Sequence, residues 1–252
     1  MSENSTAPRF EGSMFLYDKP ALLSKEEHDG MGLSLSGPLY GFARDIRGLP
    51  IVSTEIQSVQ KHYPVVFSDI ENPTLVAVVG IVEERNLFVD DDGNWDANTY
   101  VPSYVRSHPF ALAANETDDY IVIIDESSTS ISNQPDAPFF DDNGELTAET
   151  QARVDLCGHF RQQQMRTQEF CATVRDLDLL GAQRVNQTLS DGKEEKLIDY
   201  VTIDTNKLHS LDRDTLQKLH QDGSLAAIFA MAFSLENWNW LIHRRNQLLG
   251  LS

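Results

Sequence analysis

The run TLVAVVGIV at residues 74–82 decides the class of the fold. It is almost continuously apolar and rich in β-branched side chains, which fit a pleated surface covered on both faces. The run therefore predicts a buried central strand, and the sequence on either side is read as its sheet. Just upstream, VVF at 65–67 follows Pro64, which ends the helix expected over 54–62. Further upstream, MFLY at 14–17 and MGLSL at 31–35 read as short strands. Downstream, 86–89 is expected to pair with a following strand across the Asp90-Asp91-Asp92-Gly93 turn. FALAA at 110–114 and YIVIID at 120–125 flank a hairpin turn at 115–119, and 139–140 leads into a second turn, Asp141 to Gly144.

Helical patterning dominates after residue 146. Thr147 is placed to cap a helix whose first turn carries Glu149, the favourable sign for the helix dipole. That helix is expected to reach about Leu180 and stop at Gly181, with Gly158 and the polar run at 162–164 as points of bending. LIDYVTI at 197–203 returns to strand character and is expected to join the earlier sheet. Asp212 caps a short helix, stapled by Leu211 on Leu216 and closed by Gly223. A final helix from Leu225 to about Leu249 places Ile228, Met231, Leu235, Trp238 and Ile242 on one stripe. Trp240 is rotated from Trp238 by roughly 200°, so Trp238 is expected inside and Trp240 at the surface. The reading is a single α+β domain over 13–252, preceded by a flexible tail at 1–12. A β-rich antiparallel part (13–145) packs against a mainly helical part (146–252).

Composition narrows the functional classes. The chain has 252 residues, 40% hydrophobic and 9% aromatic, enough for a core. No run of about 18 apolar residues argues for membrane insertion. The N-terminal MSENSTAPRFEGS has neither an apolar stretch nor a basic region, so no signal peptide is read and the cytoplasm is the expected compartment; export without such a signal stays open. The net charge of −19 is uneven: residues 1–150 carry 26 acidic and 8 basic side chains, residues 151–252 carry 13 and 12. Such a surface repels phosphate backbones and anionic lipid, which disfavours nucleic acid as a partner. Cys157 and Cys171 fall in one expected helix, on the order of 20 Å apart, and are expected to be free thiols.

Local motifs are sparse. The acidic turns at 90–96 and 141–145 resemble calcium loops, but counting back from the glycine puts Phe88 and Phe139 at the first ligand position. His220 and Asp222 have the spacing of a non-haem iron pair without a third ligand nearby. No catalytic signature is present, so no catalytic residue, metal or cofactor is assigned. The segment 86–110 (NLFVDDDGNWDANTYVPSYVRSHPF) is the densest in binding chemistry. Tyr100, Tyr104 and His108 recur every four positions around Arg106, the one Lys or Arg between Arg85 and Arg153. Arg106 is expected either to pair with a carboxylate such as Asp125 or to grip a ligand carboxylate. With Trp95 and an exposed Trp240, these residues form the candidate ligand- or partner-binding set.

Several separated pieces carry a resemblance. They are MFLYDKP at 14–20, HYPVVF at 62–67, NLFVD at 86–90, Trp95 and, most specific, YVPSYVRSHPF at 100–110. Near the C-terminus come Ile203-Asp204, Leu208, Leu211, Leu219-His220, Gly223 and Ser234-Leu235. In order and spacing the chain resembles the SapC family of bacterial proteins. His108 departs from the basic residue or tyrosine expected in many relatives. The resemblance implies a protein connected with surface-layer export, or an accessory protein beside tryptophan-halogenase-like enzymes and outer-membrane receptors. It implies no catalytic residues. The expectation is a non-catalytic accessory or binding protein with a protein partner. Its rivals are an enzyme centred on Arg106 and its tyrosines, which would take a small-molecule ligand, and a structural component of a surface layer.

Overall fold

A computed structural model describes residues 13–114, 120–188 and 192–251. The tail expected at 1–12 and the hairpin turn at 115–119 lie outside the described residues. The strands are β1 (Pro20–Leu22), β2 (Gly32–Leu33), β3 (Gly48–Pro50), β4 (Val65–Phe67), β5 (Leu75–Val78), β6 (Phe110–Ala114), β7 (Tyr120–Asp125), β8 (Ile131–Ser132), β9 (Ala137–Pro138), β10 (Leu180–Thr188) and β11 (Glu194–Ile203). The α-helices are α1 (Lys25–His28), α2 (Ile56–Val59), α3 (Ser103–Ser107), α4 (Ala148–Asp176), α5 (Thr205–His209), α6 (Arg213–Gln221), α7 (Ser224–Ser234) and α8 (Asn237–Leu249). The fold is α+β, and these strands pair antiparallel throughout. The chain divides into two compact units, each made of two stretches. One takes Met1–Phe42 with Ser103–Arg161, the other Ala43–Pro102 with Gln162–Ser252.

The first unit holds two three-stranded sheets, ordered β1-β7-β6 and β8-β2-β9. The expected hairpin is present as β6 and β7, with Phe110 opposite Ile124. Phe110, Ile124, Phe139 and Cys157 are buried together, Phe110 meeting Phe139 edge-on at 5.6 Å. Gly32 lies so close to β9 that a Cβ there would strike the Ala137 carbonyl, so β2 needs glycine at this crossing. Residues 14–17, expected as a strand, form a turn: Tyr17 donates its amide to the Met14 carbonyl and Leu16 is left-handed (φ 67°). The apolar run serves the core through Tyr17, whose hydroxyl donates to the Phe110 carbonyl at 2.7 Å.

The second unit is built on a five-stranded sheet in the order β10-β11-β4-β5-β3. β5, from the run at 74–82, is an interior strand with Leu75, Ala77 and Val78 buried. It stops at Val78, where its partners run out at Gly48 of β3 and Val65 of β4; Gly80 then passes against the Arg85 carbonyl, where a Cβ would collide. The late strand β11 joins β4 through Val201 and Phe67, as expected from sequence.

Two helix boundaries differ from expectation. α4 ends at Asp176 rather than near Leu180. Asp178 turns left-handed (φ 54°), and Leu180 then opens β10, whose long pairing with β11 outcompetes further helix. Gly181 sits inside that strand. α4 also runs unbroken through Gly158 and the glutamines. The final helix is two helices, broken at Leu235 and Glu236. Ser234 accepts the Val65 amide at 2.8 Å and donates to the Met231 carbonyl, pinning α7 to β4, while Asn237 donates to the Gln60 carbonyl at 2.8 Å and fixes the start of α8. Of the expected stripe Ile228, Met231 and Trp238 are buried and Leu235 and Ile242 half-buried, while Leu241 replaces Ile242 as the buried residue after the break.

Candidate functional site

The segment around Arg106 is divided between the two units. Trp95 and Tyr100 belong to the second; Tyr104, Arg106 and His108 belong to the first. α3 spans only Ser103–Ser107, so the four-residue recurrence of Tyr100, Tyr104 and His108 does not make a helix face.

In the first unit His108 meets Asp125, Nε2 to Oδ2 at 3.1 Å, with both side chains 3% exposed. The imidazole stacks on Phe42 at 3.7 Å and meets Tyr17 edge-on at 5.1 Å. The Asp125 carboxylate also accepts the amides of Asp18 (3.3 Å), Lys19 (3.0 Å) and Ser127 (3.1 Å), and the Ser127 hydroxyl at 2.7 Å. Burial pushes the His108 pKa down against the pull of Asp125. Burial also works against ionised Asp125, but its hydrogen bonds from Ser127, His108 and Lys19 outweigh that and hold the carboxyl below its usual range. Asp125, the carboxylate named as one possible partner of Arg106, meets His108. Tyr104 donates its hydroxyl to the Phe15 carbonyl and stacks on that ring at 6.0 Å; burial raises its pKa to about 12.

Arg106 itself is exposed. It lines a cavity of about 200 Å³ with Leu33, Ser34, Leu39, Val105, Ser130 and Arg153, and His108 and Leu35 also reach its wall. Ser34, Ser130 and Arg153 carry no local motif, and only the topology brings them to Arg106.

In the second unit Trp95 and Tyr100 are built into the frame. The Trp95 indole donates to the Tyr63 hydroxyl (3.1 Å) and to Thr99 (3.0 Å). Tyr63 donates to the Tyr100 carbonyl at 2.7 Å, and the Tyr100 hydroxyl to Glu55 at 2.8 Å. Trp95 borders a cavity of about 570 Å³ with Phe88, Asp96, Arg244 and Leu248. Arg244, which sequence reading passed over, pairs with Asp96, donates to the Leu87 carbonyl at 3.0 Å and lies over the rings of Phe88 (4.3 Å) and Trp240 (5.0 Å). Trp240 is 45% exposed and Trp238 is 6% exposed, in the expected sense.

A further surface was missed. α7, SLAAIFAMAFS, contains no charged residue, yet it turns Ala226, Phe229 and Phe233 to solvent. Phe229 is 42% and Phe233 66% exposed, and their rings stack at 6.3 Å. The signal was available: both lie off the inward stripe of Ile228, Met231 and Leu235, four residues apart, one helical turn.

The acidic turns hold themselves. Asp90 accepts the Asn94 amide at 2.8 Å, and Asp141 accepts those of Asn143 (2.9 Å) and Glu145 (3.0 Å). Asp222 accepts the Ser224 amide at 2.8 Å at the start of α7. Among the described residues, no group of three or more His, Cys, Asp or Glu is placed to hold a metal ion.

No curated protein and no solved structure matches the chain. The family model of SapC matches residues 23–241, a span that takes in the 62–67, 86–90 and 100–110 pieces and reaches into α8, and the chain belongs to the SapC family.

Proposed function

We propose that this protein is a non-catalytic accessory protein that acts by binding a protein partner, and that α7 is the face it uses. The carrying observation is the exposed Phe229–Phe233 pair on a helix without charge. Leaving two phenylalanines in water costs on the order of 1–2 kcal/mol each relative to burial, which a partner's apolar groove recovers. Aromatic residues of this kind dominate binding energy at protein interfaces. Trp240, half exposed on α8, adds a second aromatic contact. The partner is an enzyme of the tryptophan-halogenase-like kind or a component of a surface-layer export system, the two settings to which the family resemblance points. The −19 charge keeps nucleic acid and anionic membranes away.

The His108–Asp125 pair supports the non-catalytic reading over an enzyme centred there. Its imidazole is packed between Phe42 and Tyr17 and committed to Asp125, the arrangement of a structural pin. By length and composition Ser224–Leu249 could cross a membrane, and 28% of its most apolar stretch is buried. The break at Leu235 and Glu236, and the Arg245–Glu195 pair at 2.8 Å, suit a surface helix pair better than a span.

The test is purification of the tagged protein from its native cells with light scattering on the eluate. The wild type should elute as a stoichiometric complex with a protein partner. Phe229→Glu/Phe233→Glu should elute without the partner while melting at the wild-type temperature. Retention of the partner by the double variant refutes α7 as the face. Wild type eluting only as copies of itself favours the surface-layer reading, and flotation with neutral lipid vesicles favours a membrane contact.

A further inference from the structure

The cavity beside α3 carries an inference independent of α7. It lies wholly within the first unit and is lined by two guanidinium-bearing side chains, Arg106 from α3 and Arg153 from α4. Among the described residues, no Asp or Glu lines it, in a protein with 39 acidic side chains against 20 basic. The cavity bordered by Trp95 includes Asp90 and Asp96, and one between α4 and the start of α7 includes Glu169 and Asp222. Of these three cavities this one alone has arginines in its wall without a carboxylate, Asp136 and Asp125 lying behind it on Leu35 and His108.

The remaining wall is mixed and includes Tyr40 and His108. Ser34 and Ser130 bring hydroxyls; Leu33, Leu35, Leu39, Val105 and Pro109 bring apolar surface, and Leu35 and Leu39 stand exposed at its edge. Exposed leucines beside two arginines fit an occupant with a charged end and an apolar end. Arg153 is also bonded to Glu149 at 3.2 Å, but both side chains are well exposed, so that link is weak and exchangeable. A volume of about 200 Å³ is below the usual range for drug-sized ligands and suits a small molecule.

We propose that this cavity binds a small aliphatic monocarboxylate, with its charged end on Arg106 and Arg153 and its chain against Leu35 and Leu39. The planar guanidinium fork matches a carboxylate; the Ser34 hydroxyl, now on the Ser36 carbonyl at 3.3 Å, and the Ser130 hydroxyl, now on Ser128 Oγ at 2.9 Å, would exchange those links to donate to the same oxygens. An inorganic phosphate would use the cations and leave the leucines wet, which is why the organic acid is preferred.

The experiment is calorimetry of the full chain with the straight-chain acids from butanoate to octanoate, with hexanamide and inorganic phosphate as comparisons. At least one acid should bind to a single site with a dissociation constant of millimolar order or tighter. Arg106→Ala and Arg153→Ala should each weaken it by roughly tenfold. Leu39→Ser should weaken octanoate more than butanoate, and hexanamide should not bind. Thermal melts confirm that the variants are folded, as expected for exposed positions. Absence of saturable binding by every acid overturns the proposal. So does affinity unchanged in both arginine variants, or phosphate binding as tightly as the best acid.

Discussion

Replacing Asp125 with alanine tests what holds the first unit together. The carboxylate ends β7 and receives the amides that lead into β1, those of Asp18 and Lys19, as well as Ser127 and His108. Truncation strands a buried imidazole and leaves backbone donors without their acceptor. Each such loss costs about 1–3 kcal/mol when water cannot enter. Asp18 and Lys19 lie near solvent and rehydrate in part, so the total falls at about 3–5 kcal/mol, the range for breaking a buried pair. Against a typical stability of about 5–15 kcal/mol this is a large fraction. Asp125→Asn should cost less, about 1–2 kcal/mol, because one oxygen still faces Lys19 and Ser127 while the amide nitrogen opposes the Asp18 donor. Tryptophan fluorescence is the wrong probe, since Trp95, Trp238 and Trp240 all lie in the second unit. Hydrogen exchange of the β6 and β7 amides under increasing urea reads the correct region. Asp125→Ala within about 1 kcal/mol of wild type would refute the assignment of this carboxylate as the anchor.

Three further outcomes are expected. Because burial lowers the His108 pKa below the ordinary 6.5, its contribution to stability is full above that pH and is lost as the pH falls through the folded value. Asp125, also lowered, adds a second loss at more acid pH; His108→Gln, which keeps a donor for Asp125, should remove the upper loss alone, as read by urea titrations across pH. Cys157 and Cys171 are buried and unpaired with each other, their thiols raised to about 12 and about 11, so both should resist alkylation at neutral pH until urea unfolds the chain. In single-tryptophan variants acrylamide should quench Trp240 strongly and Trp238 weakly; equal quenching would mean the face of α8 is misassigned.

The fold was legible wherever one residue type had one physical use. The β-branched run at 74–82 is realised over Leu75–Val78, and the return to strand at 197–203 and the caps at Thr147 and Asp212 are realised, Thr147 and Asp212 accepting the Thr150 and Thr215 amides at 3.3 and 2.9 Å. Boundaries that depend on distant partners were not legible. Nothing local says that Leu180 leaves the helix, because its pairing with Ile203 lies far along the chain. Nothing local breaks the last helix either, since Ser234 acts by accepting the Val65 amide. The same reason limited the candidate site. Arg106 and His108 were found from their own segment, but Arg153, Ser34 and Ser130 reach the cavity through tertiary packing. His108, read as a departure from a charged position, proved to be the group that meets Asp125.

The central claim is that α7 is a protein-binding face, and a photo-crosslinking amino acid at position 233 in native cells tests it most directly. A discrete crosslinked band to one protein is expected, absent when the same group is placed at position 142 in the exposed Asp141–Gly144 turn. Equal crosslinking from both positions, or none from position 233, would contradict it.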